Sequence, residues 1–297
     1  MCNDEHVHAV VAPGEFEGVA RHRVVIRSLR SRWLIGRRRA AWLARPSQFP
    51  RAVEADRRRL SVLSFDERVS MVRSDPDAHP LFEEGKRVNV GLAAPALDGV
   101  LLQPGVTFSF WRTVGAARAS LGYRHGMELR GGCVVPAVGG GLCLLSNALF
   151  RAAATLGWTI IERHGHTMEA IPSDDQPWGV DATIAWPYTD LRFAVPGGDP
   201  PARFHVRVVG DHVELQVWSG AAVARQVLLT AVDDRVEIID AQRVRRNRIV
   251  RTIIEADGTT TNATIAENAK RLLVPADLGR NCLTCGLENC AGRVTIR

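Results

Sequence analysis

The chain has 297 residues, 46% of them hydrophobic and 24% charged, so it can bury a substantial core and is not a disordered polypeptide. Its formal net charge of +6 comes almost wholly from arginine, Lys86 and Lys270 being the only two lysines, a bias that reflects base composition rather than function. Six cysteines are too few for a disulfide scaffold in a chain this long. No apolar run approaches the roughly 18 residues of a membrane span, and the opening Met1-Cys2-Asn3-Asp4-Glu5-His6 is polar and acidic, so a cytoplasmic protein is expected.

In chain order, nine arginines fall between Arg21 and Arg45, interleaved with Trp33, Leu34, Ile35, Trp42 and Leu43. That is a basic helix with an apolar stripe, suited either to packing on the main domain or to contact with an anionic membrane surface. Nucleic acid is not an expected partner, because no zinc-finger, helix-turn-helix or RNA-binding signature accompanies it. Ser64-Phe65-Asp66-Glu67 matches a capping box and predicts a helix to about Arg73. A second helix is predicted from Gly85 to Ala93, ending before Pro95.

From Asp98 short apolar runs cut by glycine predict strands at Gly99 to Leu102, Val106 to Trp111 and Met127 to Leu129. Leu142, Leu145, Leu149, Ala153 and Leu156 share one face of a helix predicted over 142–156, with Gly157 as its stop and a strand from Trp158 to Arg163 after it. Phe204, Val206 and Val208 alternate before Gly210-Asp211, and Val213, Leu215 and Val217 after it, the signature of a hairpin; a second hairpin turns at Asp257-Gly258. The fold class is therefore α+β, with a mixed or antiparallel sheet around a central cysteine-bearing helix. The expected organisation is a basic helical segment (1–84), a core domain (85–200), a β-rich C-terminal part (201–270) and a Cys-rich tail (271–297).

The chemistry is expected at Gly139-Gly140-Gly141-Leu142-Cys143-Leu144-Leu145-Ser146-Asn147. Three glycines allow backbone angles and close approaches closed to other residues. A cysteine delivered from such a turn into a helix N-terminus has its thiolate stabilised by the helix dipole. The neutral reading, a small buried side chain after a tight loop, stays open here. About twenty residues later, Glu162-Arg163-His164-Gly165-His166-Thr167 offers His164 or His166 as a general base, both on one side if the strand persists. Asp181, opening another predicted strand, is available to orient the imidazole. A carboxylate-binding function would draw instead on Gly139, Gly140, Gly141, Ser146, Asn147 and Arg163. The order of cysteine on a helix N-terminus, histidine on the next strand and aspartate on the one after is that of transglutaminase-like and papain-like enzymes, a topological analogy.

Further motifs then come into line: Pro104-Gly105-Val106-Thr107-Phe108-Ser109-Phe110-Trp111, Val114-Gly115, Gly122-Tyr123, the Gly139 to Cys143 turn, Glu162-Arg163-His164-Gly165-His166 and Asp190-Leu191-Arg192-Phe193. Together, in this order and spacing, they resemble the VanW family from roughly Lys86 to Ser219. The resemblance implies no established activity. In the family the cysteine is usually followed by glutamine; here Leu144 stands in that place, while Ser146 and Asn147 fit. If that glutamine builds an oxyanion hole, backbone N–H groups of Leu142 or Cys143 must do its work here. The basic N-terminal segment suits the family's short members, and the wall-binding modules of longer members are not expected, which argues against action on assembled cell wall.

Outside the resemblance, Cys282, Cys285 and Cys290 form C-x2-C-x4-C. Three thiolates so spaced can converge on zinc, with Cys133, Cys2 or a histidine as fourth ligand, or hold an iron–sulfur cluster with one open iron; a thiol relay feeding Cys143 is the remaining option. Three functions thus compete: a cysteine-nucleophile hydrolase or acyltransferase acting on a small molecule or peptide, a non-enzymatic binder of a carboxylate or cell-wall precursor, and a metal or sulfur-handling protein.

Overall fold

A computed structural model describes residues 60–72, 80–130, 133–169, 178–240 and 242–272, with helical residues 33, 35–38, 40 and 42 before them. The C-terminal cysteines, Cys2 and most of the Arg21 to Arg45 segment lie outside the described residues. The fold is α+β, with few helices and mostly antiparallel sheet. In order come β1 (Val62–Ser70), α1 (Pro80–Leu97), β2 (Leu101–Leu102), β3 (Thr107–Ser109), α2 (Phe110–Val114), β4 (His125–Arg130), β5 (Cys133–Val138) and α3 (Cys143–Thr155). Then follow β6 (Thr159–Glu162), β7 (Met168–Glu169), β8 (Arg192–Ala194), β9 (Ala202–Val209), β10 (His212–Ser219), β11 (Arg225–Ile239), β12 (Gln242–Glu255) and β13 (Thr260–Leu272).

Two hairpins follow the predicted alternation. β9 pairs with β10 across Gly210, and β12 with β13 across Gly258, the glycines at φ 57° and 85°. One sheet runs β1-β10-β9-β2 and another β11-β12-β13-β7, with a small β3-β8-β6 sheet and the β4-β5 ribbon beside them. The core gathers where α3 buries Leu145, Leu149, Phe150, Ala152 and Ala153, and α1 buries Val90, Ala93, Ala94 and Leu97. Phe108 stacks on Phe193 at 4.7 Å and meets Phe204 edge-on at 5.5 Å, so the small sheet and the β9 sheet share one aromatic centre.

Four local expectations are corrected. The segment from Ser64 is strand β1, not a helix: the Ser64 hydroxyl bonds that of Ser219 at 2.9 Å instead of capping, and the pairing with β10 overrides the capping pattern. The second helix is longer than predicted, because burial of Val90, Ala93, Ala94 and Leu97 carries it through Pro95. The strand predicted to Trp111 stops at Ser109, which becomes the N-cap of α2 by accepting the Arg112 N–H at 3.3 Å. The strand predicted at Asp181 does not form. Its neighbours bond elsewhere, Ala182 N–H to the Asn147 side-chain oxygen (2.8 Å) and Thr183 N–H to the His164 carbonyl (2.7 Å). Among the described residues no helix is long and apolar enough to cross a membrane.

Candidate functional site

The glycine run is a structural crossing. Gly139 and Gly141 take φ of 83° and 94°, angles that L side chains rarely adopt. Gly140 runs against Gly126 of β4 so closely that a Cβ on Gly140 would lie 2.4 Å from the Gly126 carbonyl carbon. Asn89, fully buried on α1, ties this crossing: its Nδ2 donates to the carbonyls of Gly140 and Arg124, both at 2.9 Å, and its Oδ1 accepts the Arg124 N–H at 2.8 Å. Cys143 therefore enters α3 from a fixed turn. The N–H groups of Leu142 and Cys143 fall where a helix supplies no acceptor of its own.

Ser146 and Asn147, expected to bind a ligand, bind the protein. The Ser146 hydroxyl donates to the Ala182 carbonyl at 2.7 Å, and Asn147 receives the Ala182 N–H. One turn of α3 thus grips the segment that carries Asp181 and Thr183. The Thr183 hydroxyl comes within 3.8 Å of the Cys143 sulfur.

His166 is brought to this cysteine and His164 is not. Strand β6 ends at Glu162, so the two histidines do not alternate along it. His164, half-exposed, points its Nε2 to Glu162 at 3.3 Å. His166 gives its Nδ1 to the Asp181 carboxylate in a short hydrogen bond and its backbone N–H to the same oxygen at 3.1 Å, leaving Nε2 as the nitrogen available to the Cys143 thiol, with which the ring interacts electrostatically. Asp181 Oδ1 also accepts from Lys270 Nζ at 2.7 Å and from Arg163 at 3.2 Å. Arg163, expected to meet a ligand, is instead turned inward: it also donates to the backbone carbonyls of Asp181 (2.6 Å) and Gly179 (3.1 Å) and to Asn268 Oδ1 (2.8 Å).

Charges follow from these contacts. Burial alone would push the Cys143 thiol up, but the hydrogen bond and charge of His166, with the Ile184 N–H and the Thr183 hydroxyl, bring it below its ordinary value. Burial disfavours the His166 imidazolium, yet Asp181 and Cys143 outweigh this and raise it to about 9. Against its own burial, Asp181 is held well below the usual carboxylate range by His166, Lys270 and Arg163. All three shifts run in the direction of a thiolate–imidazolium pair beside an ionised carboxylate.

A second buried acid explains other signature residues. Burial raises Asp190 to about 6, although the Ser109 hydroxyl (2.5 Å) and the Trp111 N–H (3.1 Å) bond it. It pins α2 to the start of β8. Nearby, Glu162 receives Arg38 on both oxygens at 2.7 and 2.6 Å; burial would raise it, but His164 and Arg38 bring it down to about 2. Arg38 thereby docks part of the N-terminal basic helix on the core, joined by the Trp42–Trp186 contact at 6.0 Å.

Sequence reasoning did not reach Asn89, Thr183, Asn268 or Lys270. A signal for the last existed, since it is one of two lysines among 38 Lys and Arg residues. Among the described residues no group of three or more His, Cys, Asp and Glu side chains could hold a metal ion.

Residues 85–218 match the family model described as VanW-like protein. The chain is 36% identical over 135 residues to the vancomycin B-type resistance protein VanW of Enterococcus faecalis (strain ATCC 700802 / V583), covering 45% of this chain and 49% of that protein. It is 37% identical over 105 residues to the uncharacterized protein YoaR of Bacillus subtilis (strain 168), covering 35% of this chain and 34% of that one. The chain thus spans about half the length of the first relative and a third of the second. No solved structure matches it.

Proposed function

We propose, from the premise that residues 85–218 are a VanW-family domain, that the chain is a cysteine-dependent enzyme acting on an acyl or amide group. Cys143 is the nucleophile, His166 the proton carrier and Asp181 the group that orients it. The observation that carries this reading is the convergence of these three side chains from three separate segments, the start of α3, the loop after β6 and the stretch after Gly179.

The thiolate attacks the carbonyl carbon, and the developing oxyanion is met by the first-turn N–H groups of Leu142 and Cys143, which stand in for a glutamine side chain at position 144. Collapse forms the thioester and breaks the bond to the leaving nitrogen or oxygen, which takes its proton from His166. Water or an acceptor nucleophile then gives a proton to His166 as it attacks, releasing the acyl product and restoring the thiolate–imidazolium pair. The order of cysteine, histidine and aspartate parallels that of transglutaminase-like and papain-like enzymes, an analogy of arrangement only.

The test is alkylation of Cys143 by iodoacetamide across pH 5 to 9, followed by mass spectrometry in the wild type and His166→Ala. The wild type should label with an apparent pKa below the ordinary thiol value of 9.0. His166→Ala should slow labelling at neutral pH on the order of tenfold, the effect of about one pH unit in thiolate fraction. Labelling of wild-type Cys143 no faster than an unperturbed cysteine would overturn the proposal.

A further inference from the structure

We infer that Lys270, on β13 and outside the family-matched segment, is a positioning residue for Cys143 and His166, so that the C-terminal sheet is part of the reactive unit. This rests on the proposed cysteine chemistry and extends it. The matched segment ends at residue 218, yet Asp181 is completed from beyond it. Lys270 Nζ, on a buried side chain, lies 2.7 Å from Asp181 Oδ1. Two positions earlier on the same strand, Asn268 receives Arg163 at 2.8 Å and donates to the Gly179 carbonyl at 3.1 Å and to Asn247 of β12 at 2.8 Å. The parallel pairing of β7 with β13, Met168 opposite Arg271, and the Arg271 N–H to Thr167 carbonyl bond (2.9 Å) hold the His166 loop against the same strand. One strand therefore fixes both the carboxylate and the histidine.

Charge balance gives the lysine its task. Thiolate, imidazolium and carboxylate sum to one negative charge, which the buried Arg163 and Lys270 together more than offset. The groups facing the trio are Arg163 from the loop after β6, Thr183 and the Ile184 N–H from the segment after Gly179, and Lys270 from β13, with Arg245 of β12 over the same Trp178 ring that Lys270 meets. The other lysine of this arginine-rich chain, Lys86, lays its stem over Gly141, 2.6 Å from where a Cβ would stand, and pairs its ammonium with Glu83. The ammonium shares one carboxylate oxygen with the Arg163 guanidinium, while the other oxygen is taken by His166, so Lys270 acts there as a compact point charge.

The sign of the effect follows. On the acidic limb of Cys143 labelling, His166 is already an imidazolium, so removing the Lys270 charge withdraws stabilisation from the thiolate and from the ionised Asp181. The loss to the thiolate pushes the limb upward, while Asp181 is ionised before and after the thiol titrates and does not itself move the limb. Lys270→Met should move the acidic limb up by about half to one pH unit, so that labelling at a pH on the foot of that limb falls by roughly three- to tenfold. Lys270→Gln, which keeps a hydrogen-bond donor without the charge, should shift it in the same direction and carries the test if Lys270→Met does not fold. An unchanged limb in a folded neutral variant overturns the inference while leaving rapid wild-type labelling, and hence the cysteine proposal, intact. Failure of both variants to fold overturns it too, by making Lys270 a structural residue. Slow labelling of the wild type removes the proposal on which it rests.

Discussion

Asp181→Asn is the perturbation that most directly probes the arrangement. Asp181 accepts from four donors: Lys270 Nζ at 2.7 Å, an Arg163 guanidinium nitrogen at 3.2 Å, the His166 ring and the His166 backbone N–H at 3.1 Å. Its side chain is 14% exposed, that of Lys270 8% and that of Arg163 4%, so this is a buried ion cluster and not a surface pair. A carboxamide offers one acceptor oxygen and brings two N–H donors of its own, leaving buried cations without a counter-charge. Breaking a buried pair from one side costs about 3–5 kcal/mol. At roughly 2–3 °C per kcal/mol for a domain of this size, the melting temperature should fall by about 6–15 °C. The chemistry should suffer separately. With its oxygen drawn to Lys270 and Arg163, the carboxamide turns an N–H toward His166 Nδ1, which becomes an acceptor and leaves a proton on Nε2, facing the thiol. Thermal unfolding by circular dichroism reads the first effect and the pH profile of Cys143 alkylation the second. A variant that melts within about 2 °C of the wild type and labels with an unchanged profile would refute both the ion-cluster energetics and the role given to the carboxylate.

Gly140→Ala should lose at least about 3 kcal/mol or fail to fold, because its Cβ would meet backbone atoms of Gly126 and Met127 at 2.4 to 2.8 Å, where no side chain can yield; a melting temperature within a degree or two of the wild type would show that the crossing is looser than described. Stability between pH 6.5 and 9 should separate the wild type from Cys143→Ala. In this window the raised His166 loses stability as pH rises while the lowered Cys143 thiol gains it, so the two contributions oppose one another in the wild type. Without the thiol the opposing contribution is gone, and the stability that Asp181 gives the His166 imidazolium is present below 6.5 and lost as pH rises through its folded value. The variant's melting temperature should fall across the window relative to the wild type, and parallel curves would contradict the ion pair.

What the sequence yielded and what it withheld divide along the range of the interactions. The helix bearing Cys143 was legible because its apolar face repeats within its own length, and the two hairpins because alternation and glycine turns are local. β1 was misread for the complementary reason. Ser64 and Glu67 have the spacing of a capping box, but Ser64 bonds Ser219 and Glu67 meets Arg151 of α3 at 2.6 Å, partners 155 and 84 residues away. A local motif carries no information on which of two competing partners wins.

The candidate site shows the same division in finer form. Cys143, His166 and Asp181 could be named from residue type and order, whereas the choice of His166 over His164 depended on where β6 ends and which carboxylate each ring then meets. The glycines, Ser146, Asn147 and Arg163, expected at a carboxylate site, make close contacts and hydrogen bonds within the protein around Cys143, His166 and Asp181. That outcome is physically reasonable, since reactive groups act only when their own positions are fixed by the groups behind them. Lys270 and Asn268 lie 89 residues from the atoms they hold. Their contribution becomes visible only when β13 is laid beside β7.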